Sequence, residues 1–305
     1  MAGPTVVELS TAQEFMAFLS PFDARWGNRP GRFIFRGQPD ASYQLTPSIC
    51  RRGEGSFADG SSVKTSADTI SRQVDFEVNV LWEFLKGCDR SGLIVPGYSE
   101  DIMRLLSTER YLFQSAFNVW PRKEMHQIMA VAQHYGVPTR LLDWTERSFV
   151  ACYFAGSMAS YVVDSHPPQK IAVWALDTKR SESWETVKII RTPGGTSRNQ
   201  AAQSGLFTTH LIKEFAHELY QPEALEEVPE IYEDYPQALL KITLPVFEVP
   251  ALLDSCKMLG VEASTLFPGH EGVARGVRDW ARQAVGVKHS QSYIDDYIES
   301  QYQED

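Results

Sequence analysis

The chain has 305 residues, a formal net charge of -10 and 43% hydrophobic side chains, with 16 Phe, 12 Tyr and 7 Trp, enough to bury a substantial core. The negative balance argues against broad, unspecific adhesion to nucleic acid, though a local basic groove can survive within it. No apolar run approaches the roughly 18 to 20 residues of a membrane span, so no membrane partner is expected. The opening MAGPTVVELS lacks a basic region followed by an apolar stretch, and the four cysteines form no Cys-x-x-Cys pair. A reducing cytoplasm is the expected location.

In chain order, Thr11 and Glu14 form a capping box ahead of a first short helix. Phe33, Ile34 and Phe35 read as a brief buried strand, and Gly37, Gln38, Pro39 and Asp40 supply turn chemistry, so Arg36 stands at a strand end. A guanidinium beside glycine suits a phosphate or carboxylate that needs bare backbone nearby. The plain alternative is a structural ion pair with one of the 39 acidic side chains. Residues 51–64 are Gly/Ser-rich and read as a mobile surface loop. Residues 66–87 have helical spacing ending on Gly87. A helix from Pro121 to Gly136 follows, with His134 in its last turn.

Residues 133–145, QHYGVPTRLLDWT, read as a tight connection between two helices, with Thr145 the N-cap of a long apolar second helix. Local pairing of Arg140 with Asp143, His134 as a helix cap and Trp144 as core is the plain reading. The functional one uses the loop as a unit, with amide donors at the Thr145 helix start and Trp144 or Tyr135 as a stacking face. Asp143 is expected to be structural, fixing Arg140 or the helix start. Short runs after residue 170 (KIAVWAL, TVKIIRT, GLFTTH and ALLKITL) read as strands, with Gln203 and Ser204 on a sheet rim. A helix starts near Val249 and another spans EGVARGVRDWARQAV, with Glu271 just after a Pro-Gly turn.

The class is α+β: a mixed, mostly antiparallel sheet with a helical insertion, in one domain over 1–290, followed by an acidic, partly disordered tail over 291–305. His210, Glu214 and His217 have i, i+4, i+7 spacing, but lack an open-site signature, so no metal is expected.

These stretches resemble the FRG domain family, named for a Phe-Arg-Gly signature, here Phe35-Arg36-Gly37. FIFRGQPDASYQLTPSICRR, QHYGVPTRLLDWTERSFVACYFA, QSGLFTTH and LFPGHEGVARGV look like its blocks, in its order, across most of residues 30 to 280. The last departs, with His270-Glu271 where leucine then aspartate is expected. The resemblance implies a component of phage-defence or toxin-antitoxin loci, with a proposed relationship to ADP-ribosyltransferases and an ADP-ribosyltransferase-like fold. NAD is then the substrate, and RNA or protein the target, with an antitoxin or phage-derived trigger as partner. Arg36 and Glu271 are the implied catalytic pair. Arg36, Gly37, Gln38, His134, Tyr135, Thr139, Arg140, Trp144 and Gln203 are the implied cofactor-binding set. Cleaving the nicotinamide-ribose bond makes an oxocarbenium-like centre that a carboxylate stabilises. The alternatives are a non-catalytic nucleic-acid-binding or sensor module of such a system and, further off, a phosphodiesterase, which would want metal carboxylates.

Overall fold

The computed structural model describes residues 3–27, 31–51, 69–107, 119–159, 169–194, 197–213, 219–233 and 235–282. Its strands are β1 (Thr5–Glu8), β2 (Phe33–Gln38), β3 (Leu141–Thr145), β4 (Lys170–Asp177), β5 (Val187–Ile190), β6 (Gly205–His210) and β7 (Leu239–Pro245). They form one sheet of order β1-β7-β4-β2-β3-β6-β5, parallel only between β1 and β7. The class is therefore α+β with a mixed, mostly antiparallel sheet. β1 was not foreseen: four residues with mostly exposed side chains show little of the alternation that marks a half-buried strand.

Alternation along the aromatic strand β2 sends Phe33 and Phe35 to one face and Ile34 to the other. On the first face lie α1 (Ala12–Phe18), α5 (Ser148–Ala159) and α7 (Val249–Met258), with α5 apolar almost all round because it is covered by both the sheet and α7. The Thr11/Glu14 capping box starts α1 as expected. On the second face, Ile34, Leu142, Trp144 and Trp174 pack beneath Leu225, Val228, Ile231 and Tyr232.

A third cluster is built by α2 (Ile70–Arg90), α3 (Glu100–Ser107) and α4 (His126–His134), which stand between β2 and β3 in the chain and pack on Leu141, Ile190 and Phe207. This is the helical insertion. In α2, Val74, Val78, Leu81, Leu85 and Cys88 make the buried stripe, and Gly87 is crossed rather than used as a stop, since the helix runs on to Arg90. The remaining helices are α6 (Arg198–Gln203), α8 (Ala263–Leu266) and a final one over 270–282. No helix of the described residues is long and apolar enough to cross a membrane. Of the expected loop over 51–64 all but Arg51, and the whole tail over 291–305, lie outside the described residues.

The main correction concerns residues 141–145. They are not a helix connection but β3, paired with β6 from Leu141–Thr209 to Thr145–Gly205, and α5 starts only at Ser148. The Thr145 hydroxyl accepts from Arg147 N–H and donates to the Gln203 carbonyl, so it supports the turn without capping a helix that includes it. LLDWT is too short for its period to separate strand from helix, and pairing with β6 decided the outcome.

Candidate functional site at the parting of two strands

β2 and β3 are neighbours through a single pair, Phe35 with Thr145. Beyond it β2 follows β4 out to Gln38–Ala172, while β3 follows β6 to Leu141–Thr209. Arg36 stands at this fork. Its Nη1 donates to the Asp143 carbonyl oxygen at 2.7 Å, and Nη1 lies 3.6 Å from Asp143 Oδ2. Its Nε is buried and has no hydrogen-bond partner among the described residues, which leaves donor capacity unspent in a side chain only 16% exposed. Burial draws the Arg36 pKa below the ordinary guanidinium value; Asp143 pushes it back up, and Arg51 adds to the lowering. Two arginines near one carboxylate leave a positive excess, suited to an anion.

Arg32, just before the same strand, shows the contrasting case. Its guanidinium forks onto both oxygens of buried Asp177, at 2.7 to 3.3 Å. That is the structural ion pair that was the plain alternative for Arg36, and Arg36 has no such fork.

Asp143 is held from α4. Thr139 Oγ1 donates to Gln133 Oε1, and Gln133 Nε2 donates to Asp143 Oδ2 at 2.7 Å. The chain of bonds fixes one carboxylate oxygen, while the side chain as a whole stays 63% exposed. Thr139 is itself fastened to the segment after β2, its N–H donating to Ser48 Oγ at 3.3 Å and its carbonyl accepting from Ile49 N–H. α4 ends because Gly136 takes φ +83, the left-handed turn that closes a helix, so the chain can double back into β3.

Beside Asp143 is an open pocket of about 60 Å³, lined among others by His134, Trp144, Gln200, Gln203 and Phe207. His134 is exposed, with Ser197 Oγ 3.4 Å from its Nε2. Tyr135 packs edge-on against it and is well exposed. Gln203 Nε2 donates to the Leu266 carbonyl at 3.1 Å, tying the pocket rim to α8. The structure thus gathers Arg36, His134 and Gln203 around Asp143, with Tyr135 outside the pocket against His134.

Other expected ligands are frame. Gln38 is buried, its Oε1 accepting from Trp174 Nε1 at 2.6 Å and its Nε2 donating to the Gln44 carbonyl. A Cβ on Gly37 would lie 2.1 Å from the Ala151 carbonyl oxygen and 2.6 Å from Ala155 N, so this glycine admits α5 rather than a ligand. Arg140 does not pair with Asp143. It is buried against Glu77 of α2, with Nε to Oε2 at 2.9 Å and Nη2 to Oε1, and Glu77 also accepts from Gln73 and Trp120. Trp144 is buried, its Nε1 donating to Thr208 Oγ1 at 2.9 Å, and it presents no open stacking face. Glu271 opens the final helix and pairs along it with Arg275, Nη2 to Oε1 at 2.7 Å and Nε to Oε1 at 3.1 Å. Asp143, therefore, fixes neither Arg140 nor the start of a helix.

The i, i+4, i+7 spacing of His210, Glu214 and His217 presupposes a helix, whereas His210 ends β6. Glu214 and His217 lie outside the described residues, and no group of three possible metal ligands occurs among the described ones. Sequence reasoning missed Gln133 and Arg51 as site residues. Gln133 opens one of the family-like blocks and Arg51 is the last residue but one of another, and nothing in their spacing separates them from ordinary surface residues.

Residues 31–161 match the family model of the FRG domain. Over that span the chain is similar to the FRG domain. The matched span runs from the start of β2 past α5 and contains Arg36, Gln133, His134, Thr139, Arg140 and Asp143. Gln203 and Glu271 lie beyond it, as do the blocks QSGLFTTH and LFPGHEGVARGV. No curated protein and no solved structure matches the chain.

Proposed function

We propose that this protein binds NAD at the β2–β3 fork and transfers ADP-ribose to a macromolecule, RNA or protein, as a toxin or anti-phage effector in the cytoplasm. The observation that carries the reading is Arg36: a nearly buried guanidinium with an unpartnered Nε, joined to its strand neighbour by one hydrogen bond and accompanied by Arg51. Such a centre attracts a phosphate oxygen, and NAD presents two phosphates on its bridge. His134, Tyr135 and Gln203 then offer polar edges and an exposed ring to the rest of the dinucleotide. The reaction breaks the bond between ribose C1′ and the nicotinamide nitrogen, whose electron pair leaves with neutral nicotinamide. A nucleophile of the target forms the new bond to C1′ and gives up its proton to solvent. An antitoxin or a phage-derived trigger would control such an activity. The four cysteines are free and buried, which suits a reducing compartment.

A second reading, a nucleic-acid-binding or sensor module, is favoured by one observation. A pocket of about 60 Å³ is far below the several hundred Å³ that usually enclose a small ligand, so a phosphate carried on a larger chain would fit the fork as well. Calorimetric titration with NAD, alongside an assay for free nicotinamide, separates the two. Heat of binding with release of nicotinamide supports the transferase. Absence of both, with binding of a short RNA that Arg36→Ala removes, supports the module.

A further inference from the structure

We infer that Asp143, rather than Glu271, is the carboxylate that stabilises the ribosyl centre in this reaction. The inference rests on the NAD reading above and names the residue that would do its chemistry. Four observations carry it. Asp143 is the carboxylate beside Arg36, so a substrate whose phosphate reaches Arg36 passes it. Its Oδ2 is held by Gln133, which is held in turn by Thr139, whereas its Oδ1 accepts no hydrogen bond among the described residues. One oxygen is positioned and the other is open. It also lines the pocket that contains His134 and Gln203. Glu271, by contrast, spends an oxygen on both Nε and Nη2 of Arg275 along its own helix.

The position suits the chemistry. β3 is hydrogen-bonded to β6 over its whole length, so the carboxylate rides on rigid backbone, as an electrostatic stabiliser requires. As the C1′–nitrogen bond breaks, its electron pair goes to nicotinamide and C1′ gains positive charge. Asp143 Oδ1 faces that charge without forming a bond, or accepts a ribose hydroxyl and acts through it. The target nucleophile, or water in its place, then bonds to C1′ and its proton passes to solvent, so the carboxylate is unchanged over the cycle. Gln133 is a positioning residue: it sets the rotamer of Asp143 without touching substrate.

The test compares wild type, D143N and E271Q in three measurements: calorimetric binding of NAD, nicotinamide release with water or a cell extract as acceptor, and thermal melting. D143N keeps the shape and a partner for Gln133 but loses the charge. It should bind NAD within about threefold of wild type and lose on the order of a hundredfold or more in nicotinamide release at unchanged melting temperature. E271Q should release nicotinamide within about threefold of wild type. Release retained in D143N, or abolished in E271Q alone, overturns the inference. A wild type that binds NAD without releasing nicotinamide also overturns it while leaving the binding site standing, and a wild type that binds no NAD removes the reading on which it rests. Should D143N melt early, D143S decides, assayed at a temperature at which it is folded: the carboxylate is removed, so retained binding with lost release supports the assignment and retained release overturns it.

Discussion

Arg36 reaches across the fork of the sheet to the Asp143 carbonyl oxygen, 2.7 Å from Nη1, at the point where β2 and β3 stop pairing with each other. The contact does what a backbone N–H would do in an unbroken ladder, and among the described residues it is the one hydrogen bond the guanidinium makes. Arg36→Lys keeps a charge and one donor but loses the fork. It should weaken NAD binding by roughly ten- to hundredfold, the loss of a charge-assisted contact worth on the order of 1.5 to 3 kcal/mol, with little change in melting temperature. Calorimetric titration of both proteins checks the first part and a thermal scan the second; a collapsed fold would place Arg36 among the structural ion pairs.

Gly37→Ala should act on stability before binding. The added methyl group meets the Ala151 carbonyl and the Ala155 amide, both backbone atoms of α5, which cannot rotate away as a side chain would. The backbone here is not left-handed, so the cause is close packing of helix on strand. A loss on the order of 3 kcal/mol is expected in urea unfolding, with residual NAD affinity in the fraction that folds.

Glu77→Gln should cost about 3 to 5 kcal/mol, because the change leaves the Arg140 guanidinium buried opposite a neutral amide. The side chains of Arg140 and Glu77 are only 6% and 2% exposed, so solvent cannot take over the missing charge. Replacing both residues, Glu77→Leu with Arg140→Met, should recover much of the loss. Chemical unfolding of the two single variants and the double variant measures this coupling.

His210 gives a pH signature. Burial, with Arg140 adding to it and Glu230 opposing, pulls its pKa from 6.5 down to about 4. At neutral pH the imidazole is therefore uncharged, so its Nδ1, 3.3 Å from Glu223 Oε2, does not form an ion pair there. The unfolded chain binds the proton more readily, so His210 contributes stability above about pH 6.5 that is lost as the pH falls toward 4, at most about 3 kcal/mol. His210→Gln should flatten the stability profile between those limits when unfolding free energy is measured against pH. An unchanged slope would show that other groups produce it.

Local chemistry made much of the chain readable. The capping box at Thr11, the aromatic start of β2, the helix that stops at Gly136 and the four later strands each follow from patterns within a few residues of one another, whereas β2 does not end at Arg36 as its turn residues suggest but runs on through Gly37 to Gln38, because pairing with β4 holds those residues in the ladder. The resemblance to the FRG family rested on short blocks, and the first two fall within the matched span. Tertiary structure alone decided the site. Whether LLDWT became helix or strand depended on β6, more than sixty residues away, and whether Arg140 or Arg36 kept donors to spare depended on where Glu77 and Asp177 came to lie. Periodicity reports which side chains are apolar. It carries no record of which charged groups, distant in sequence, will neutralise one another once the strands are laid side by side, and that pairing is what leaves Arg36 with open donors and Asp143 with an open oxygen among the described residues.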